Sequence, residues 1–120
     1  MQESGEMYIE TIHILSQESE HVRAIDVAKS MGFSKPSVSR AMGVLRSEGY
    51  ISIDDKGYIT LEPPGLKIAT SMYERHVLLT QMLISLGVDD ETAASDACKM
   101  EHIISEESFE AIKRHMKNRC

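Results

Sequence analysis

The chain has 120 residues, a hydrophobic content of 42% and a formal net charge of −6 at pH 7. This length fits one domain or two closely packed subdomains of an ordinary globular protein. It contains no apolar run of transmembrane length, no signal-peptide pattern at its start and only two cysteines, so we expect a cytoplasmic protein without a disulfide framework.

Apolar residues recur at helical spacing in the first third of the chain. The segment "EMYIETIHILSQE" predicts a first helix, with Ser4 as a possible cap. The next apolar positions, within residues 25–31, predict a second helix that Gly32 ends.

A third helix and a hairpin are expected next. The helix begins at Ser34 or Lys35, places Pro36 in its first turn, where a missing N–H costs nothing, and ends at Gly49. In "YISIDDKGYITL", β-branched residues alternate around a turn at residues 55–57, which is typical of a hairpin. Two short helices, a tight turn and a small hairpin in this order predict a winged helix-turn-helix.

The rest of the chain is predicted to be helical. We expect "EPPG" at residues 62–65 to break the chain and a long helix to run from Leu66 to Leu86. The apolar stripe of this helix is broad enough to face two neighbours, one of which can be a second subunit. After Gly87 a helix with an acidic first turn is expected, followed by a last helix capped by Ser105.

The predicted fold class is therefore mainly α. A winged helix-turn-helix domain with a β-hairpin wing covers residues 1–62, and a helical domain covers residues 63–120.

Basic residues concentrate in the predicted winged-helix domain. Between Val22 and Thr60, six basic and four acidic residues give a net charge of +2, which leaves −8 for the rest. The second helix of such a motif enters the major groove, where hydroxyl, amine and guanidinium groups can donate to phosphates and base edges. Two alternatives stay open: a merely solvated helical face, or a winged helix that binds protein. The expected DNA-contacting residues are Ser34, Lys35, Pro36, Ser37, Ser39, Arg40, Arg46 and Lys56.

Residues that can ligate a metal lie on three predicted helices. In "DACKMEHIISEE", a thiol, a carboxylate and an imidazole share one helical face because their spacing is i, i+3 and i+4. Each candidate alone is also explained by core packing. Together they suggest a mixed S/N/O site for a divalent first-row ion. The candidate ligands are Met7, Glu10, His76, Cys98, Glu101 and His102.

Several motifs resemble the DtxR/MntR family of metal-dependent transcriptional repressors. They are "GEMYIETIHIL", "KPSVSRAM", "ERHVLLTQML" and "DACKMEHIISEE", which occur in the family's order over residues 4–108, and "DACKMEH" is the most specific. The resemblance implies a DNA-binding domain joined to a metal-binding and dimerisation domain. It also implies a homodimer that binds a palindromic DNA operator when metal is loaded.

The resemblance also implies metal ligands. Four residues match the primary site of the iron-responsive branch, in which the cysteine can ligate through its carbonyl as well as its sulfur. Glu10 matches a ligand of the manganese branch, and His76 matches a second metal position of both branches. Thioether and thiolate ligands favour Fe(II), or Co(II) and Ni(II), over Mn(II). The four matching residues are Met7, Cys98, Glu101 and His102.

The chain departs from the family pattern at three points. Thr80 and Ala94 replace two ancillary ligands of the iron branch, and the SH3-like domain of longer members is absent. A second metal would therefore use His76 with Glu10 and a shared Glu101.

The sequence thus predicts an Fe(II)-responsive repressor, with a Mn(II)-responsive regulator or a metal-independent winged-helix module as alternatives. A zinc hydrolase is disfavoured because the chain has no HExxH motif, no phosphate loop and no additional general base. The thiol of Cys120 is interpreted as incidental.

Overall fold

The computed structural model describes residues 3–118, which form six α-helices and one two-stranded antiparallel sheet in the chain order α1, α2, α3, β1, β2, α4, α5, α6. The elements are α1 (Glu3–Glu18), α2 (Ala24–Met31), α3 (Lys35–Ser47), β1 (Ile51–Ile53), β2 (Ile59–Leu61), α4 (Pro63–Ser85), α5 (Asp90–Ile103) and α6 (Glu106–Lys117). Two compact units divide within α4, between Thr70 and Ser71.

The first unit is built on an apolar core that α1, α2, α3 and the sheet share. Ile9, Ile12 and Val38 are among its fully buried side chains. The α2 helix ends at Gly32, whose φ of 71° is the left-handed conformation that glycine adopts without strain, and its N–H donates to the carbonyl of Ala28. The predicted end of the second helix is confirmed.

The hairpin forms the expected wing. Its strands pair Ile51 with Leu61 and Ile53 with Ile59. The side chain of Asp54 accepts hydrogen bonds from the backbone N–H groups of Lys56 and Tyr58, both at 2.9 Å, and so orders the turn. The winged helix-turn-helix, with its helical second half, is thereby confirmed.

The structure corrects two local expectations. Ser4 is a helical residue of α1 rather than its cap, because the helix already includes Glu3. The prolines of "EPPG" do not break the chain but form the first turn of α4, which begins at Pro63. Proline is tolerated there because the first N–H groups of a helix have no intrahelical partner. The domain boundary between residues 62 and 63 stays a prediction.

The second unit contains most of α4 together with α5 and α6. Asp89 caps α5 by accepting from the N–H of Thr92 at 3.2 Å, and Ser105 caps α6 by accepting from the N–H of Ser108 at 3.0 Å. Both predicted helix starts are confirmed. Within residues 3–118, no helix combines the length and the apolar character needed to cross a membrane. Cys120 lies outside the described residues.

Candidate metal centre and DNA-reading surface

The start of α3 presents a polar surface. Ser34 caps the helix by accepting from the N–H of Ser37, and its hydroxyl also donates to the Ser37 hydroxyl at 2.9 Å. The guanidinium of Arg40 donates to that same hydroxyl at 3.5 Å. Since Val38 and Leu45 are buried on the opposite side, this face is directed away from the core.

The eight residues predicted to contact DNA all lie in the first unit. All are exposed except Ser37, which is half-buried. Arg46 lies in the last turn of α3, and Lys56 lies in the turn of the wing. An exposed cation in each of these places can meet phosphates on either side of a helix in the major groove. The surface is therefore suited chemically to DNA, and the individual contacts stay predictions.

Sequence reasoning missed a cluster at the base of the wing. The rings of His21 and Tyr58 stack with centroids 4.3 Å apart, and the guanidinium carbon of Arg23 lies 4.8 Å from the Tyr58 centroid. Arg23 also donates to the Tyr58 hydroxyl at 3.3 Å, and the N–H of Ile59 donates to the carbonyl of Val22 at 2.7 Å. This cluster ties the wing to the segment before α2 and includes an exposed cation, Arg23, at the base of the wing.

The second unit holds a buried carboxylate between two imidazoles. The side chain of Glu101 has no exposed surface. Its Oε2 lies 3.1 Å from Nδ1 of His76 on α4, and its Oε1 lies 3.4 Å from Nε2 of His102, the next residue of α5. The His102 side chain is only 2% exposed, whereas that of His76 is 33% exposed. Imidazole nitrogen and carboxylate oxygen thus converge at one point of the fold.

Cys98 completes the group of donors in this unit. It is exposed, and its sulfur lies within 4.8 Å of a carboxylate oxygen of Glu101. Two imidazoles, one carboxylate and one thiol are a donor set that fits a divalent first-row ion. Thr80 and Ala94, which replace two ancillary ligands of the iron branch, do not add ligands here. The Thr80 hydroxyl donates to the carbonyl of His76 at 2.7 Å, and Ala94 has no side-chain donor group.

Four of the six predicted ligands therefore lie together in the second unit. The two others, Met7 and Glu10, lie three residues apart on α1 in the first unit, and both are half-buried. Spacing of i and i+3 puts them on the same face of that helix. Their share in a metal site stays a prediction.

Two protein-family models match the chain, and together they cover almost all of it. Residues 1–61 match the N-terminal DNA-binding domain of iron-dependent repressors. Residues 62–119 match the metal-binding and dimerisation domain of the same repressors.

Curated relatives agree with these matches. The transcriptional regulator MntR of Salmonella typhimurium is 36% identical over 104 residues, which are 87% of this chain and 66% of that protein. An uncharacterized HTH-type transcriptional regulator of Methanocaldococcus jannaschii is 30% identical over 97% of this chain and 94% of that protein. Both are named as regulators, so the hydrolase alternative has no support among them.

Solved structures share the fold. The metal-dependent transcriptional regulator MtsR superimposes with a TM-score of 0.86 at 24% identity, over 94% of this chain and 53% of that chain. A manganese-dependent transcriptional repressor in complex with manganese gives a TM-score of 0.84 at 25% identity, over 94% of this chain and 52% of that chain. The chain thus spans just under two thirds of the MntR relative and about half of each of these structures.

Proposed function

The chain belongs to the iron-dependent repressor family, and from this premise we propose that it is a metal-dependent transcriptional repressor that binds double-stranded DNA as a homodimer. The observation that carries the proposal is the joint match of a DNA-binding and a metal-binding domain across residues 1–61 and 62–119. We place the protein in the cytoplasm, because a bacterial-type repressor must reach both DNA and the metal pool.

The DNA-reading surface supports the first half of this proposal. The start of α3 offers hydroxyl donors together with Lys35 and Arg40, and Lys56 in the wing supplies a further cation. In a dimer, two such helices would meet successive major grooves of a palindromic operator, about 34–36 Å apart. The net negative charge of the whole chain makes this local surface the expected place of contact.

The group of donors around Glu101 supports the second half. We propose that His76, Cys98, Glu101 and His102 hold a divalent ion, which would supply positive charge beside the buried carboxylate. From the match to family positions, we propose that Met7 and Glu10 of α1 complete the ligands.

Ligands from both units would couple metal loading to DNA reading. Ligation by residues of both α1 and α5 would restrict the positions that the two DNA-binding domains of a dimer can adopt, and DNA binding would favour the same restricted state. A coupling free energy of about 1–3 kcal/mol between the two ligands gives a 5- to 150-fold response. This range is sufficient for a repressor to follow the supply of a metal.

We propose Fe(II) as the regulatory ion, because the thioether of Met7 and the thiol of Cys98 are softer ligands than the carboxylates that Mn(II) prefers. Mn(II) is the second candidate. It is favoured by the similarity to a repressor that is named as manganese-dependent and was solved with manganese. Since affinity also follows the order of the first-row metals, cellular supply contributes to the choice.

The decisive experiment measures binding of the full chain to a palindromic operator selected from random DNA. Fluorescence anisotropy is recorded with Fe(II), Mn(II), Co(II) and Ni(II) for the wild type and for Met7→Asp. We expect metal-dependent binding by the wild type and a shift of preference toward Mn(II) in the variant, because a hard carboxylate replaces a soft thioether. Met116→Asp, on α6, is the matched control for a Met-to-Asp change.

Two outcomes would count against the proposal. DNA binding that is unaffected by metal and by chelator would indicate a metal-independent winged-helix module. Unchanged metal preference in Met7→Asp would remove Met7 from the ligands while leaving the repressor function in place.

A further inference from the structure

Arg75 of α4 makes several contacts within the second unit. Its side chain is only 11% exposed. Its Nη1 donates to the carbonyl oxygens of Glu101 at 3.1 Å and Ile104 at 2.9 Å. Its Nη2 forms an ion pair with Oε2 of Glu106 at 2.9 Å, and its guanidinium carbon lies 5.3 Å from the ring centroid of Phe109. One side chain of α4 is thereby fixed to the end of α5 and the start of α6.

These contacts occur where a helix needs donors. The last carbonyl groups of an α-helix have no intrahelical N–H partner, and a cation is favoured beside them by the helix dipole. A guanidinium can satisfy two carbonyls at once because its donors are held in a planar fork. Arg75 is thus a cap for the C-terminal end of α5, which carries Glu101 and His102.

His76, the residue of α4 that follows Arg75, contacts the side chain of the same glutamate. Nδ1 of His76 lies 3.1 Å from the Glu101 carboxylate, while Arg75 binds the Glu101 carbonyl. Two consecutive residues of one helix therefore fix both the backbone and the side chain of Glu101. The bond to the backbone is made to the carbonyl oxygen and involves neither carboxylate oxygen of Glu101.

We propose that Arg75 is a positioning residue that holds Glu101 in the geometry needed for metal binding. The proposal rests on the proposed function of the donor group around Glu101. Residues that orient the ligands of a metal typically contribute 10- to 100-fold to its affinity. Arg75 acts through the backbone, which sets where the carboxylate and the adjacent His102 imidazole can be.

The test is a titration of the full chain with Co(II). Binding is monitored through the visible absorption of the bound Co(II), which reports ligand geometry. Arg75→Lys keeps the charge but can satisfy only part of the fork, and Arg75→Met removes the donors. We expect a loss of Co(II) affinity of about 10-fold for Arg75→Lys and up to about 100-fold for Arg75→Met. In both variants we expect a changed absorption band, which loss of stability alone would not produce.

The control is Lys113→Met. Lys113 forms a 3.2 Å ion pair with Glu74, so it also joins α6 to α4, and within residues 3–118 no hydrogen bond or ion pair connects it to α5. We expect this variant to keep the wild-type Co(II) affinity and spectrum. If Arg75→Met fails to fold, Arg75→Lys decides the question alone, since its retained charge still pairs with Glu106.

The outcomes separate the two proposals. Wild-type affinity and spectrum in folded Arg75 variants, even with a lowered melting temperature, would overturn the positioning role and leave Arg75 as a helix cap only. Absence of Co(II) binding by the wild type would overturn the proposed metal function and the positioning role with it.

Discussion

Glu101→Gln tests whether the buried carboxylate is a metal ligand. Glutamine preserves the shape of the side chain and can still hydrogen-bond to Nδ1 of His76, but it carries no charge. The substitution therefore removes the negative charge of the proposed ligand with little change in packing. Because Glu101 has no exposed surface, solvent cannot replace the lost carboxylate at the same place.

The expected size of the effect follows from linkage. An ion at 100 times its dissociation constant stabilises the folded protein by about 2.7 kcal/mol. Loss of a direct ligand should weaken binding at least as much as loss of an orienting residue, so we take about 100-fold. At the same ion concentration the variant then gains only about 0.4 kcal/mol. At about 4 °C per kcal/mol, the metal-induced rise in melting temperature falls from about 11 °C to about 2 °C.

The assay is differential scanning calorimetry of each protein with Co(II) and with chelator. The difference between the two melting temperatures is compared across proteins, so that any effect of the substitution on the metal-free protein cancels. Glu107→Gln is the matched control because it removes the same charge at an exposed position of α6. An equal metal-induced rise in Glu101→Gln and the wild type would refute the assignment of Glu101 as a ligand.

Three further substitutions test the DNA-reading surface and the starts of α4 and α5. Arg40→Ala should weaken operator binding by about 1–3 kcal/mol and relax base preference in a selection from random DNA, and unchanged affinity would exclude it from the interface. Gly65→Ala should lower the free energy of unfolding in urea by about 1–3 kcal/mol, because a Cβ there overlaps the carbonyl oxygen of Tyr50; an unchanged midpoint would contradict this packing. Hydrogen bonds from Thr92 hold the pKa of Asp89 below its usual 3.8, so the charged cap stabilises the protein above that value and is lost as the pH falls through the lowered pKa. Asp89→Ala should therefore lower the melting temperature at neutral pH, with a difference from the wild type that shrinks in acid, and a difference independent of pH would contradict the role of the charge.

The features that sequence predicted well depend on local chemistry. Ser34 caps α3 because a serine hydroxyl can accept from the N–H three residues on, and proline is suited to the turn that follows. The wing turns at Gly57, whose φ of 84° disfavours other residues. Each of these signals is contained within about four residues. The winged helix-turn-helix could therefore be recognised before any long-range contact was known.

The start of α4 was not predictable in the same way. Proline both terminates helices and begins them, so "EPPG" carries two opposite signals. The choice is made by tertiary contacts: the N–H of Glu62 donates to the carbonyl of Tyr50, and Gly65 lies against that same carbonyl without a side chain. The position at which α4 begins therefore depends on contacts between residues that are twelve or more positions apart in the sequence.

The clusters at the wing and at α5 were missed for a related reason. Arg23 and Tyr58 are 35 positions apart, and Arg75 lies 26 positions before the glutamate whose carbonyl it binds. No helical or strand period connects such pairs. Spacing placed Cys98, Glu101 and His102 on one face, but the convergence of His76 on them required either the fold or the family resemblance.

The four proposed metal ligands of the second unit differ in exposure, and this difference suggests how an ion would reach the buried carboxylate of Glu101. The side chains of Glu101 and His102 are almost completely buried, whereas the side chain of His76 is one-third exposed and Cys98 is exposed. In the proposed metal site, an ion would therefore meet His76 and Cys98 before it meets the buried carboxylate. Because burial makes an unpaired charge costly, the carboxylate must have partners both with and without metal. The imidazole of His76, 3.1 Å from the carboxylate, is one such partner, so the proposed ion would share or replace it, whereas the bond from Arg75 to the carbonyl of Glu101 uses neither carboxylate oxygen.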